Sequence, residues 1–452
     1  MRKRLYILMI ASWLIAVGTF AQRLTLDSCL QLAQRNNPAL RKSQLSVLRA
    51  EQVKSQALTK YFPQIQGTAF GYHALHPIID VGIDDISNAS VRDLLTTLYG
   101  NYGAALGLQN TFSLFQHGYM VGVTAIQPVF MGGKIVAGNR LAQVGVEAAR
   151  LQAQITERDA LEQVEESYWL VYGLQCKQSI IDDATRLVDT VYQIVSGAVE
   201  AGLALPSDLT KVEIRRDDIY RHQLQLESGI RLASQALALS VGLPLTETIQ
   251  PADTLSDTIP DLMAMAQAAD GLTPEAQLLQ LQIRAAQLQR KMALADALPQ
   301  LAVGANYSYS RWQNNFLRNG LGSPTGNGAV FVTLTVPITA WWETGHKLKE
   351  HDYALEQARI DQAYIGEQLN LRTRQAYDRM AEAAAMWRLQ QRTAEHARVA
   401  YEQTLVNYKA GMTTITELLQ AQMAWTQAKA DLTDAQIAYR VQSKRYTDLT
   451  AQ

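Results

Sequence analysis

The chain repeats one plan twice, and this repetition restricts its fold more than any other feature of its 452 residues. Asn36-Asn37-Pro38 opens a segment that closes at Phe62-Pro63-Gln64-Ile65, and Thr273-Pro274 opens one that closes at Leu298-Pro299-Gln300-Leu301. The bounding prolines lie 25 residues apart in both copies, at a shift of 236. Proline suits the first turn of a helix and not its interior, so the pairs delimit two equivalent helices. A second set obeys a shift of 209: Pro128 and Pro337, Tyr168 and Tyr377, Tyr192 and Tyr401, Ala201-Gly202 and Ala410-Gly411, Asp208 and Glu417. The change of shift places an insert in the first copy, near 74–116. Two tandem structural repeats account for both sets.

Each copy reads in the same order. A helix (38–62; 274–298) leads to a strand (64–72; 300–311), a loop and a second strand (118–130; 329–339). A very long helix follows (134–200; 342–409), then a glycine turn and a returning helix (204–241; 412–450). The long segments are rich in Ala, Leu, Gln, Glu and Arg, free of internal proline, and favour helix throughout. Roughly 67 residues at 1.5 Å each give a rod of about 100 Å, too long for an ordinary compact domain. Antiparallel rods of that length predict coiled-coil packing, with Ala381, Ala383, Ala384 and Ala385 permitting close approach. The boundaries are a first repeat over 22–242, a linker over 243–272 bearing Pro244, Pro251 and Pro260, and a second repeat over 273–452.

The N-terminus reads as an address. Arg2, Lys3 and Arg4 precede an apolar run from Leu5 to Val17, and Thr19-Phe20-Ala21 offers a small-residue cleavage pattern, which predicts a secretory signal peptide over 1–21. The run is shorter than the roughly 20 residues of a membrane-spanning helix. Net charge is −1, and −4 without the three leader cations, with no basic face for nucleic acid. Two distant cysteines, Cys29 and Cys176, make neither a disulfide scaffold nor a zinc knuckle and read as buried thiols.

The strand segments alternate. Leu301, Val303, Ala305, Tyr307 and Tyr309 share one face against Asn306, Ser308 and Ser310, and Val330, Val332, Leu334, Val336 and Ile338 alternate likewise. Aromatic residues cluster near strand ends: Tyr61, Phe62, Phe130, Trp312, Trp341 and Trp342. Alternation by itself fits a soluble sandwich or a lipid-facing barrel with interfacial aromatics. A sandwich has no use for the flanking rods. No run after the leader is long and apolar enough to span as a helix, so a membrane crossing requires a closed β-barrel. Four strands cannot close one, since the smallest have about eight. Oligomerisation follows, and three copies would supply twelve strands while their helices close a second barrel.

Asn36-Asn37-Pro38, the repeated Pro-Gln-hydrophobic motif, and the paired Ala-Gly turns followed by acid-Leu resemble the outer-membrane efflux protein (TolC) family, in order and over essentially the whole mature chain. The resemblance implies a mixed α/β membrane protein: a homotrimer with a twelve-stranded β-barrel in outer-membrane lipid, four strands per subunit, a long α-helical barrel in the periplasm, and an equatorial belt. It implies a passive duct in a Gram-negative outer membrane, with no enzymatic chemistry and no cofactor. Its partners would be a periplasmic adaptor (membrane fusion protein) and, through it, an inner-membrane pump of RND, ABC or MFS type.

By the same resemblance the turns Ala201-Gly202-Leu203 and Ala410-Gly411-Met412 are periplasmic tips where the adaptor docks. Asp208 and Glu417 match acids of the family's entrance, and Tyr408 matches a tyrosine bonding the neighbouring coil. The expectation is an Asp208–Tyr408 hydrogen-bonded latch and a Glu417 contribution to an acidic ring favouring cations. The plainer reading makes both acids first-turn complements of their helix dipoles. Thr413 and Gln420 stand where some members carry a basic and an acidic residue, which predicts a more weakly held gate. His73 with His76, and His346 with His351, lack the spacing of helical metal ligands, and no metal site is expected from them. The rival reading is a periplasmic adaptor or coiled-coil scaffold, which should show one hairpin rather than two.

Overall fold

The computed structural model describes residues 22–76, 78–106, 111–246, 249–254, 273–314 and 325–450. These form two compact units, one of residues 50–146 and 282–358, the other of the remaining described chain. The expected leader and most of the expected linker, 255–272, lie outside the described residues.

The elements follow the repeat, with corrections. Strand β1 (Gln22–Leu24) and helices α1 (Leu26–Asn36) and α2 (Pro38–Leu58) precede β2 (Gln64–His73). The first-copy insert is structured: β3 (Ile79–Gly82) and α3 (Ala89–Leu106) precede β4 (Thr111–Met131). Then come α4 (Lys134–Glu200), α5 (Pro206–Val241) and β5 (Ile249–Pro251). The second copy holds α6 (Pro274–Ala295), β6 (Gln300–Asn314), β7 (Thr325–Thr335), α7 (Ala340–Lys409) and α8 (Ile415–Thr450). The strand expected over 329–339 therefore ends at Thr335 and begins at Thr325. Val336 and Ile338 fall outside it, flanking Pro337, whose ring nitrogen has no hydrogen to donate to a ladder. The helix expected to reach residue 62 stops at Leu58 and tightens into a 3₁₀ turn, Thr59–Tyr61.

Strands β2, β4, β6 and β7 make an antiparallel sheet in that order, and β3, a fifth strand, pairs with the far end of β4. The register stacks like on like. Ala69 faces Val121, which faces Tyr309; Ala125 faces Ala305, which faces Val330; and Val303 faces Val332. One face is thus an apolar strip across four strands. The other carries Gln66, Thr68, Thr124, Asn306, Ser308 and Thr333. None of the described residues covers the strip: β7 is exposed along its whole length, and Val330 and Val332 are 80% and 67% accessible.

In the helical unit the apolar positions form coiled-coil seams. On α4 the buried Ala184, Val188, Val191 and Val195 step by four, three and four residues, the 3.5-residue repeat that keeps a seam facing its partner. They pack with Val212 and Ile219 of α5, Tyr401 of α7 and Leu418 of α8. Ala376, Met380, Ala384 and Trp387 of α7 pack on Tyr439 and Tyr446 of α8. Ala384 is fully buried, whereas Ala385 is exposed. Cys29 is buried with Val164, Trp169 and Leu237, and burial, reinforced by Asp253, pushes its thiol up to about 11. Cys176 is half-buried and also free.

Candidate functional site

The two glycine turns are built alike, bond for bond. Gly202 donates to Val199 O and Leu203 to Ala198 O; Gly411 donates to Tyr408 O and Met412 to Asn407 O. These are the paired 5→2 and 6→1 bonds of a Schellman stop, which require a left-handed residue between them. Gly202 and Gly411 supply it at φ +72° and +73°. A hydrophobic contact inside the turn often accompanies this motif. Here Leu203 is 84% and Met412 71% accessible, so the fold leaves both side chains to solvent.

The acids after the turns are engaged locally. Thr414 and Glu417 close a capping box, the Thr414 N–H donating to Glu417 Oε2 at 3.1 Å and the Glu417 N–H to Thr414 Oγ1 at 3.3 Å. Asp208 sits in the first turn of α5, and its Oδ1 accepts from Lys211 Nζ at 2.9 Å. Tyr408 is half-buried beside the Val195–Leu418 core. Burial raises its hydroxyl pKa, and the negative charge of Asp208 raises it further. The hydrogen bond that Asp208 accepts is therefore from Lys211, with Tyr408 within reach of its field. Thr413 Oγ1 donates to Thr404 O at 3.5 Å, and Gln420 is exposed.

One polar group at this level escaped the sequence reading. Gln422 is 1% exposed in the α8 seam; it accepts from Arg215 Nε at 3.3 Å and donates to Thr426 Oγ1 at 3.2 Å. Arg215 also binds Asp218 at 2.7 Å, and burial lowers its pKa. The signal was present, because Gln422 falls one heptad after the buried Ile415, where a seam expects an apolar residue. This network borders a cavity of about 670 Å³ lined by Ile181, His222, Leu226 and Met423.

The expected interfacial aromatics divide. Tyr61, Phe62, Phe130 and Trp342 are exposed at the end of the sheet where strands meet helices. Phe130 opposes Leu301 on the apolar strip. Trp312 lies on the polar face instead. It pairs with Gly118, which pairs with Tyr72, and the two rings meet over that glycine 5.6 Å apart. The side chain of Trp341 lies outside the described residues. No described helix is long and apolar enough to cross a membrane.

A family model described as outer membrane efflux protein matches residues 29–243 and 267–451. No curated protein matches by sequence. Among solved structures the fold is similar to the Campylobacter jejuni CmeC outer membrane channel, at TM-score 0.74 and 13% identity over 94% of this chain and 85% of that one. CusC gives 0.74 at 16% identity, over 96% of this chain and 94% of its own. The Vibrio cholerae outer membrane protein VceC gives 0.72 at 15%, over 94% and 96%.

Proposed function

The chain belongs to the outer membrane efflux protein family, and from that premise we propose that three copies close one continuous export duct. It is an outer-membrane channel component and not an enzyme. The adaptor alternative is not supported, since the family model takes in both hairpins and both strand pairs.

The carrying observation is the bare apolar strip. Among the described residues β2 and β7 end the sheet with unpaired edges, and the face formed by Val121, Val303, Val330 and Val332 is uncovered. Unpaired strand edges cannot stand in lipid, where every backbone group needs a partner. Joining β7 of one subunit to β2 of the next satisfies those edges and turns the strip to lipid. Three subunits contribute twelve long strands; the short β3 extends the wall beyond them. The polar face, with Thr124, Asn306, Ser308 and Thr333, then lines the lumen.

The helices extend the duct into the periplasm. Leu203 and Met412, held outward by the Schellman turns, are the contacts offered to a periplasmic adaptor, through which an inner-membrane pump of RND, ABC or MFS type drives export. Asp208 and Tyr408 form the gate contact once Lys211 releases the carboxylate, and Glu417 adds a negative ring near the axis. Light scattering on the signal-cleaved, detergent-extracted protein tests the assembly. A trimer in the outer-membrane fraction is expected. A monomer released without detergent would leave the strand edges unpaired and end this reading.

A further inference from the structure

The ladder between β2 and β4 ends on a matched couple. His73 stands opposite His117 in register, their ring centres 5.9 Å apart and their planes at 33°. By strand parity both belong to the apolar strip, at the end of β2 and β4 away from α2 and α4, next along from Gly71 and Tyr119. That end also bears Arg311, opposite Tyr119. The strip from Ile65 to His73 is nine residues long, about the 9–11 residues of a transmembrane strand, which puts the couple at its outer boundary. His73 is exposed and His117 half-buried. Among the described residues neither imidazole has a hydrogen-bond or ion-pair partner, so each keeps a nitrogen lone pair to give.

The spacing suits a shared ion. An imidazole nitrogen binds zinc at about 2.0–2.1 Å, which puts the ring centre about 3.2 Å from the metal. Two such rings at a tetrahedral angle have centres about 5.2 Å apart, and 5.9 Å corresponds to an angle of about 135°. The test below reads whether both ring nitrogens reach one ion. Directly opposed residues on antiparallel strands, Cβ atoms about 4.5–5.5 Å apart, bring two imidazoles together without backbone change.

We propose that His73 and His117 are the two protein ligands of a site for a divalent transition ion that favours imidazole, Cu²⁺, Zn²⁺ or Ni²⁺. No group of three or more His, Cys, Asp or Glu gathers among the described residues, so water completes the shell. Pairing between β4 and β6 slips between Leu114 and Gly118, and His117 lies inside that slip. An ion shared with His73 pins β4 to β2 where its other neighbour holds it least regularly, and stiffens the outer rim of the sheet.

Cu²⁺ binding to the detergent-extracted full chain, followed by calorimetry and electron paramagnetic resonance, tests this without reference to transport. The expected result is one strong site per chain with two coupled nitrogens, falling to one nitrogen in His73→Gln and in His117→Gln. Each variant should lose at least roughly tenfold in affinity, the lower end of what losing even an outer-shell partner costs. His76→Gln, three residues along in the exposed loop, should bind as wild type does. Equal affinity in wild type and both pair variants, or no two-nitrogen signal in wild type, overturns the proposal. Unchanged elution and circular dichroism of the variants keep misfolding out of the comparison.

Discussion

Tyr168 holds its hydroxyl 2.8 Å from Asp253 Oδ2 and 3.0 Å from Leu24 O, while accepting from the Ala252 and Asp253 amides at 3.1 and 3.3 Å. The same carboxylate oxygen accepts the Leu26 N–H at 2.7 Å. One hydroxyl on α4 thus ties β1, the start of α1 and the segment after β5. Tyr168→Phe removes it and strands buried polar partners, at about 1–3 kcal/mol. The thermal midpoint should fall accordingly. An unshifted midpoint would mean that water replaces the hydroxyl at no cost.

Two left-handed glycines should respond differently to alanine. At Gly202 a Cβ would meet open space, so Gly202→Ala carries only the left-handed penalty of about 1–2 kcal/mol. At Gly242 (φ +84°) a Cβ would sit 2.5 Å from Asn36 O, and the backbone of α1 must move as well. Gly242→Ala should therefore lower the thermal midpoint more than Gly202→Ala does. Equal shifts would show that the close approach to Asn36 has slack.

Glu417→Gln separates the capping acid from the gating acid. The amide oxygen can still accept the Thr414 N–H, so thermal stability should hold. The lost charge should lower cation-over-anion permeability in planar bilayers, and an unchanged ratio would leave Glu417 a helix cap alone. Tyr408→Phe should raise the resting conductance; the same leak as wild type would remove the latch.

The strip and the lumen face can be told apart on one strand. Val332→Arg sets a charge on the face assigned to lipid and should cost about 2–4 kcal/mol near the bilayer midplane. Thr333→Arg, one residue on and facing the other way, should assemble normally and alter single-channel conductance. Both are read as the yield of detergent-resistant trimer. Loss at 333 with tolerance at 332 would reverse the assignment of faces.

Glu165 supplies a pH signature. It is 6% exposed, and burial raises its pKa, against the opposing effects of the Trp169 hydrogen bond and Lys444. A carboxyl raised in the folded state opposes folding when ionised. Its penalty is relieved as pH falls through the raised value and is gone below the ordinary Glu value of about 4.3. Glu165→Gln should leave stability at pH 7 equal or higher and flatten the melting profile across that window. A profile parallel to wild type would show Glu165 already neutral or well solvated.

Much of this protein was legible as pattern. Proline pairs and apolar periods are local signals, so α2, α6 and the four principal strands stand near their expected places, and Gly202 and Gly411 take the left-handed stops that their position after a long helix demanded. The insert over 74–116 was legible only as extra length, because β3 acquires strand identity from pairing with β4. Strand β1 was missed for the same reason: three residues become a strand only beside β5, more than 220 residues away.

Sequence by itself determined the repeat, the rods and the alternation, since each follows from spacing along one chain. Tertiary structure decided which residues meet across it. Ladder register turned His73 toward His117 and set Trp312 over Gly118 on the polar face, and helix packing buried Gln422 with Arg215. Register depends on which strands adjoin and by how many residues they slip, a choice of long-range pairing that local spacing does not carry.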